Sequence, residues 1–167
     1  STLFPYTTLF RSRDGGALLI TGDACTIKGS MFNENGAYNG GAVLALGNLT
    51  IIGCEFENNS ADDTGGAVFA YNIDVTDSIF KNNLAEYGGA IAAKNTNIKN
   101  TLFEQNKAYS GGAIYCEENV IADTSKFISN YASRNGGAIC CDENVTAVNC
   151  LFKSNNAYNG GSIYGDN

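Results

Sequence analysis

Carboxylate side chains return to one place along this chain: Glu117 and Glu118, then Asp142 and Glu143, then Asp166. The steps from Glu117 to Asp142 and from Asp142 to Asp166 are 25 and 24 residues. If the chain coils on itself with that period, the three acids stack side by side. Stacked carboxylates repel one another and favour a bound cation, and Ca²⁺, which takes its ligands from oxygen in flexible sites, suits the set Glu117, Asp142 and Asp166. A pair of carboxylates is also the acid and base of glycoside hydrolysis. The plain alternative is a solvated acidic corner that aids solubility. No other cofactor is expected.

Other chemistries are closed by composition. The chain has no histidine, which removes the Ser-His-Asp triad, the His-Glu-x-x-His zinc helix and most catalytic zinc sites. Its six cysteines, Cys25, Cys54, Cys116, Cys140, Cys141 and Cys150, contain no Cys-x-x-Cys spacing, so a zinc site is not expected either.

The elements that would stack these acids are legible in two markers that alternate along the chain. Glycine pairs stand at Gly15-Gly16, Gly40-Gly41, Gly65-Gly66, Gly88-Gly89, Gly111-Gly112, Gly136-Gly137 and Gly160-Gly161, at intervals of 23 to 25 residues. Between them lies Phe-x-x-Asn, at Phe32/Asn35, Phe56/Asn59, Phe80/Asn83, Phe103/Asn106, Phe127/Asn130 and Phe152/Asn155. A fixed period of that length is the signature of a stacked repeat architecture.

Within one period, alternate residues take opposite faces of a strand. The third residue from each first glycine (Leu18, Val43, Val68, Ile91, Ile114, Ile139, Ile163) and the fifth (Ile20, Ala45, Ala70, Ala93, Cys116, Cys141, Gly165) read as inward. The sixth turns polar at Lys94, Glu117, Asp142 and Asp166, which fixes that parity as outward. A second strand precedes each Phe, with Leu49/Ile51, Ile73/Val75 and Val120/Ala122 inward. A turn former then stands three residues before the Phe (Gly29, Gly53, Asp77, Asn100, Thr124, Asn149) and marks a corner. A third short strand carries Ser30, Cys54, Ser78, Thr101, Ser125 or Cys150 inward, followed two residues later by the Phe.

Three short strands in 23 to 25 residues leave no room for antiparallel returns, so each strand pairs with its equivalent one coil later. The fold class is all-β: a right-handed parallel β-helix of about six coils, with the hand taken from the general rule for parallel crossovers. In that frame the Phe column stacks in the interior. The Asn column bonds along the axis and to corner backbone. Ala37, Ala61, Ala85, Ala108, Ala132 and Ala157, five residues after each Phe, mark a place too tight for anything larger. The glycines supply positive φ or a close approach. Cys116 and Cys141 fall in one inward column, where a disulfide between stacked parallel strands would be strained and buried thiols acting as small hydrophobes are the better reading.

One outward column breaks the alternation. Leu19, Leu44, Phe69, Ala92, Tyr115, Cys140 and Tyr164 form an apolar stripe where polar residues are expected. Such a stripe marks either an interaction face or a face covered by another segment. Leu44, Phe69, Tyr115 and Tyr164 are its candidate binding residues, with aromatic rings that can stack on sugars or pack on a protein.

The net charge is −7, which argues against nucleic acid as a partner. No apolar run approaches the roughly 18 residues of a membrane-crossing helix, so no membrane insertion of this segment is expected; nothing in the sequence fixes an oligomeric state. Residues 1–12, STLFPYTTLFRS, resemble the in-frame translation of a common high-throughput sequencing adapter. They are expected to stand outside the fold, leaving 13–167 as a piece of one β-helix domain truncated at both ends.

At Gly111-Gly112-Ala113-Ile114 and Phe127-Ile128-Ser129-Asn130 the chain resembles the repeat of polymorphic outer-membrane proteins, whose paired signatures are Gly-Gly-Ala-Ile and Phe-x-x-Asn. The resemblance runs from Gly15 to about Ile163. It implies an exported, surface-displayed, adhesin-like segment of the autotransporter-passenger type, extracellular or on the outer membrane, non-catalytic, and binding a protein or glycan of a host or neighbouring cell. The alternatives are a polysaccharide-cleaving β-helix enzyme of the pectin lyase or polygalacturonase kind, and a purely structural spacer. The enzyme would need specialised acids, a basic residue at a cleft and long loops on one edge, whereas the corners here are short.

Overall fold

The computed structural model describes residues 12–165, and every regular element among them is a β-strand. All strand pairs are parallel, each strand lying on its equivalent one coil away. The result is a solenoid of about six turns, as its six-stranded Phe-bearing sheet shows.

The longest sheet holds Val43–Ile52, Val68–Thr76, Ile91–Lys99 and Ile114–Asp123. The first and second strands expected from the pattern are here one bent strand, and the register slips at the bend, between Ala45 and Asn48 and between Ala93 and Asn95. In the outer coils the two halves separate, as Leu18–Ile20 with Ala24–Lys28 and as Ile139–Cys141 with Asn144–Val148. The Phe-bearing sheet runs from Met31–Asn33 to Leu151–Lys153. A third ladder, unexpected as a strand, lies between each Asn and the next glycine pair: Gly36–Asn39, Ser60–Ala61, Lys107–Ser110 and Tyr131–Asn135, with bridges through Leu84. Ser12 opens a strand, Ser12–Asp14, paired to Ala37 and Asn39. It is therefore part of the fold, one residue earlier than the expected boundary; residues 1–11 lie outside the described residues.

The interior is filled by stacked columns. Phe56, Phe80, Phe103 and Phe127 are fully buried, and from Phe32 to Phe152 the rings lie 4.7 to 5.0 Å apart and within 10° of parallel. That interval is the strand spacing of about 4.8 Å, so the sheet sets the ring stack. Val43, Val68, Ile91, Ile114 and Ile139 form a second buried column.

The Asn marker builds a closed polar network beside the rings. Asn106 Oδ1 accepts from the backbone N–H and the Nδ2 of Asn83, each at 3.0 Å, while its own Nδ2 donates to Phe80 O and to Asn130 Oδ1, also at 3.0 Å. Both donors and both acceptor sites of the amide are used, which is what lets Asn59, Asn83, Asn106 and Asn130 sit at 1% exposure or less. A hydroxyl ladder runs alongside. Ser78 Oγ donates to Thr76 O at 2.8 Å and accepts the Cys54 N–H at 3.1 Å, and Ser125 repeats this with Asp123 O and the Thr101 N–H. The inward small residues are thus hydrogen-bonding groups as well as space savers.

The marker columns are not uniform along their length, and here the structure corrects the expectation of six equivalent copies. Asn35 and Asn155, at the two ends of the amide ladder, are only half-buried, and so are their partners Phe32 and Phe152. Their strands are the two edges of the Phe-bearing sheet, so a neighbouring coil covers each from one side only. Both still join the ladder. Asn35 donates its backbone N–H and its Nδ2 to Asn59 Oδ1 at 3.0 and 2.9 Å. Asn155 Oδ1 accepts from the backbone N–H and Nδ2 of Asn130, each at 3.0 Å. Its Nδ2 donates to Phe127 O at 2.9 Å, as in the inner coils, but turns its other N–H to Ser162 Oγ at 3.4 Å instead of to a further asparagine. The same one-sided cover leaves Leu18 exposed and Ile20, Ile163 and Ala157 half-buried, although all four belong to columns read as inward or tight.

The two glycines of a pair do different work. The first has φ between 57° and 67° in all seven copies. In every pair but the last, a Cβ on the second would overlap the next coil: at Gly112 it would meet Gly137 O and Tyr131 O. The turn formers Gly29, Gly53, Asp77, Asn100, Thr124 and Asn149 all take positive φ, as a corner requires. So does a column that the sequence did not flag, the residue just before each marker Asn: Glu34, Asn58, Asn82, Gln105, Ser129 and Ser154.

Candidate functional site

The apolar stripe is largely a packed feature. Leu44, expected as a binding residue, is only 5% exposed, because the parallel register sets it directly between Leu19 and Phe69. Ala92, between Phe69 and Tyr115, and Cys140, between Tyr115 and Tyr164, are buried for the same reason. From Phe69 onward large and small residues alternate up the column, so large side chains flank Ala92 and Cys140. Phe69, Tyr115 and Tyr164 remain half-buried and reach the surface. Tyr115 meets Tyr87 edge-on at 5.3 Å, and Tyr87 meets Tyr109 at 6.2 Å, so a neighbouring corner supplies part of the cover. A small recess of about 80 Å³ survives among Phe69, Tyr71, Lys94, Tyr115 and Glu117.

Asp142 is exposed and Glu118 half-buried, and both are engaged with neighbours. The Tyr115 hydroxyl donates to Asp142 Oδ2 at 2.8 Å. Burial, then the adjoining Asp142 carboxylate, raises the Tyr115 phenol well above its ordinary value. Glu118 pairs with Lys94 at 3.0 Å and accepts from Asn95 Nδ2 at 3.2 Å. Its carboxyl is held below the usual range, chiefly by the Lys94 hydrogen bond. Lys94 also donates to the Tyr71 hydroxyl, 3.1 Å away, and is shifted upward by that bond first and by Glu118 second. Glu117 is exposed, and Asp166 lies outside the described residues. Among the described residues, no group of three or more His, Cys, Asp or Glu side chains is placed to hold a metal ion.

Cys116 and Cys141 are buried, are not joined to each other, and lie at the bend. One residue separates Ala93 from Asn95, but two separate Cys116 from Asn119 and Cys141 from Asn144. Ala45, with the same two-residue spacing to Asn48, shows that the longer bend does not by itself require a thiol. Cys116 Sγ lies 3.1 Å from Lys94 O and 3.2 Å from Asn119 O, and Cys141 Sγ lies 3.1 Å from Glu118 O and 3.4 Å from Asn144 O. Each thiol proton thus has backbone carbonyls within reach that an alanine at the same position could not serve. Burial pushes the Cys116 thiol up to about 12 and raises that of Cys141.

The same bend carries a second asparagine ladder that sequence reasoning missed. Asn72 Nδ2 donates to Asn48 Oδ1 at 2.8 Å, Asn95 to Asn72 at 3.1 Å, Asn119 to Asn95 at 2.9 Å and Asn144 to Asn119 at 3.1 Å. These amides face outward and are half-buried or exposed. Their signal was present as an Asn eight residues before each of Phe56, Phe80, Phe103, Phe127 and Phe152.

A sequence profile of the Chlamydia polymorphic membrane protein repeat matches four times, at residues 53–71, 77–94, 100–117 and 124–142. Over those four segments the chain carries polymorphic membrane protein repeats. Each match opens at the turn former ahead of the Phe; the first three end in the first half of the next long strand and the fourth just past Ile139–Cys141, so a repeat as matched spans the Phe marker and the following glycine pair. No curated protein and no solved structure matches the chain. No helix among the described residues is long and apolar enough to cross a membrane.

Proposed function

We propose that the chain is a non-catalytic segment of a surface-displayed, adhesin-like bacterial protein, in which the solenoid is a stiff rod that presents a binding face to a protein or glycan of another cell. The family supports the setting, since its repeats belong to membrane proteins of the bacterial surface. The observation that carries the reading is that the ring stack and the buried amide ladder pass through the coils unbroken. No described coil interrupts its ladders for a catalytic group. Two of the clustered acids are instead engaged by residues of the recess, Asp142 by Tyr115 and Glu118 by Lys94. Phe69, Tyr115 and Tyr164 are the candidate contact residues, joined by Tyr71, which is half exposed.

The test is attachment. Beads coated with the chain are expected to bind cultured epithelial cells, and Tyr71→Ser is expected to weaken this while leaving the circular dichroism spectrum unchanged. Beads that bind no better than albumin-coated ones, or a chain that releases reducing ends from polygalacturonate, would overturn the reading.

A further inference from the structure

The outward amide ladder forms one wall of a groove of about 370 Å³ that crosses four successive coils over the bend of the long sheet. The opposite wall is the next outward column, Asp74, Asn97, Ile121 and Thr146. We infer that this groove binds a linear, uncharged oligosaccharide lying along the solenoid axis. The inference rests on the binding role proposed above and names a ligand class and a second face for it.

The hydrogen-bond inventory sets the chemistry. An asparagine amide offers two N–H donors and two acceptor lone pairs. Asn119 spends one donor on Asn95 and one acceptor on Asn144. Asn72 does the same with Asn48 and Asn95. Bracing the bend therefore uses half of each amide, and the other half, one N–H and one lone pair side by side, is left for the groove. Asn95 differs, because Glu118 takes its second N–H. A donor and an acceptor on one planar group match two hydroxyls on neighbouring sugar carbons, one accepting and one donating. Amides recur along the groove at the strand spacing of about 4.8 Å. That is close to the rise of one sugar in an extended chain, so similar contacts can be repeated from coil to coil.

Charge and shape exclude competing ligands. Asp74 is the only charged residue among the described residues lining the groove, and its carboxylate accepts from Asn97 Nδ2 at 3.1 Å. With no cation on either wall, a sulfated, phosphorylated or uronic chain meets no counter-charge. Ile121 is 51% exposed and gives the C–H face of a sugar ring an apolar surface. An extended peptide has no edge to join, because the middle strands of this sheet are paired on both sides; a ligand here is read by side chains alone. The volume lies within the roughly 300–1,000 Å³ of small-molecule sites.

The experiment is a titration of the isotope-labelled full chain with cellohexaose, mannohexaose and N-acetylchitohexaose, with a heparin hexasaccharide for contrast, each to about 10 mM, a range that captures weak millimolar binding. At least one neutral sugar is expected to shift the side-chain amide resonances of Asn72, Asn119 and Asn144 saturably, while heparin does not. Asn119→Ala is expected to weaken that binding about tenfold, the worth of one or two hydrogen bonds. Ile121→Asp, on the opposite wall and outside the ladder, is expected to do likewise with unchanged thermal unfolding. Silence with all three neutral sugars, stronger binding by heparin, shifts confined to Phe69 and Tyr115, or undiminished affinity in a folded Ile121→Asp chain would each overturn the inference. If the beads still attach to cells in that event, the adhesin reading stands and only the groove assignment falls.

Discussion

Replacing Asn106 by Ala strikes the buried amide ladder where no water can compensate. The substitution removes the acceptor used by both the backbone N–H and the Nδ2 of Asn83, and the donor used by Phe80 O. Asn130 Oδ1 keeps the Asn106 backbone N–H, so that acceptor is not orphaned. Asn83 is 1% exposed and Phe80 is fully buried, which leaves two donors and one acceptor unpaired inside the protein. At about 1–3 kcal/mol for each orphaned group, with partial relaxation bringing the sum to the lower part of that range, the loss is about 3–6 kcal/mol. Urea unfolding followed by far-ultraviolet circular dichroism measures it, with Asn95→Ala in the outward ladder as the comparison. Asn95 is half-buried, and its truncation is expected to cost about 1 kcal/mol or less, since water replaces the lost partners. Equal losses for the two variants, or a loss below about 1 kcal/mol for Asn106→Ala, would refute the claim that the inner Phe-x-x-Asn amides are a buried, fully satisfied network.

Phe103→Ala leaves a void between Phe80 and Phe127 and is expected to cost about 3–5 kcal/mol; an unchanged melting curve would remove Phe103 from the core. Gly112→Ala is expected to prevent normal stacking, because its Cβ would overlap backbone oxygens of the next coil, whereas at Gly53 a Cβ meets open space and Ala should cost only about 1 kcal/mol for its left-handed φ. Because folding raises the Cys116 thiol from 9.0 to about 12, the stability tied to its neutral form is complete below pH 9 and is lost as pH rises from there through about 12. Urea midpoints measured across that interval should fall less steeply in the Cys116→Ala/Cys141→Ala variant, and parallel curves would contradict the assignment. If Glu117, Asp142 and Asp166 hold Ca²⁺, millimolar calcium raises the melting temperature and Asp142→Asn abolishes the rise; a parent chain indifferent to calcium ends that reading.

The sequence by itself determined the repeat, its parallel stacking and its inward columns. Each of these is a periodic property: a residue type that recurs every 23 to 25 positions must lie above its own copy. The Phe and Asn markers announced a ring stack and an axial amide ladder because like residues in register can do little else. What tertiary structure alone decided lies at places where the period is locally broken or the third dimension supplies a neighbour. Asn35 and Asn155 read the same as Asn106 in sequence, yet they are half-buried because a coil covers each on one side only. Cys116 and Cys141 read as small hydrophobes, yet each thiol lies beside backbone carbonyls that only the folded bend brings to it. Leu44 reads as exposed by alternation, yet the stripe buries it between Leu19 and Phe69. The outward asparagine ladder was not among the columns read from the sequence. Alternation along a strand says which way a side chain points, whereas burial and grooves depend on what the neighbouring coils place above, below and across from it.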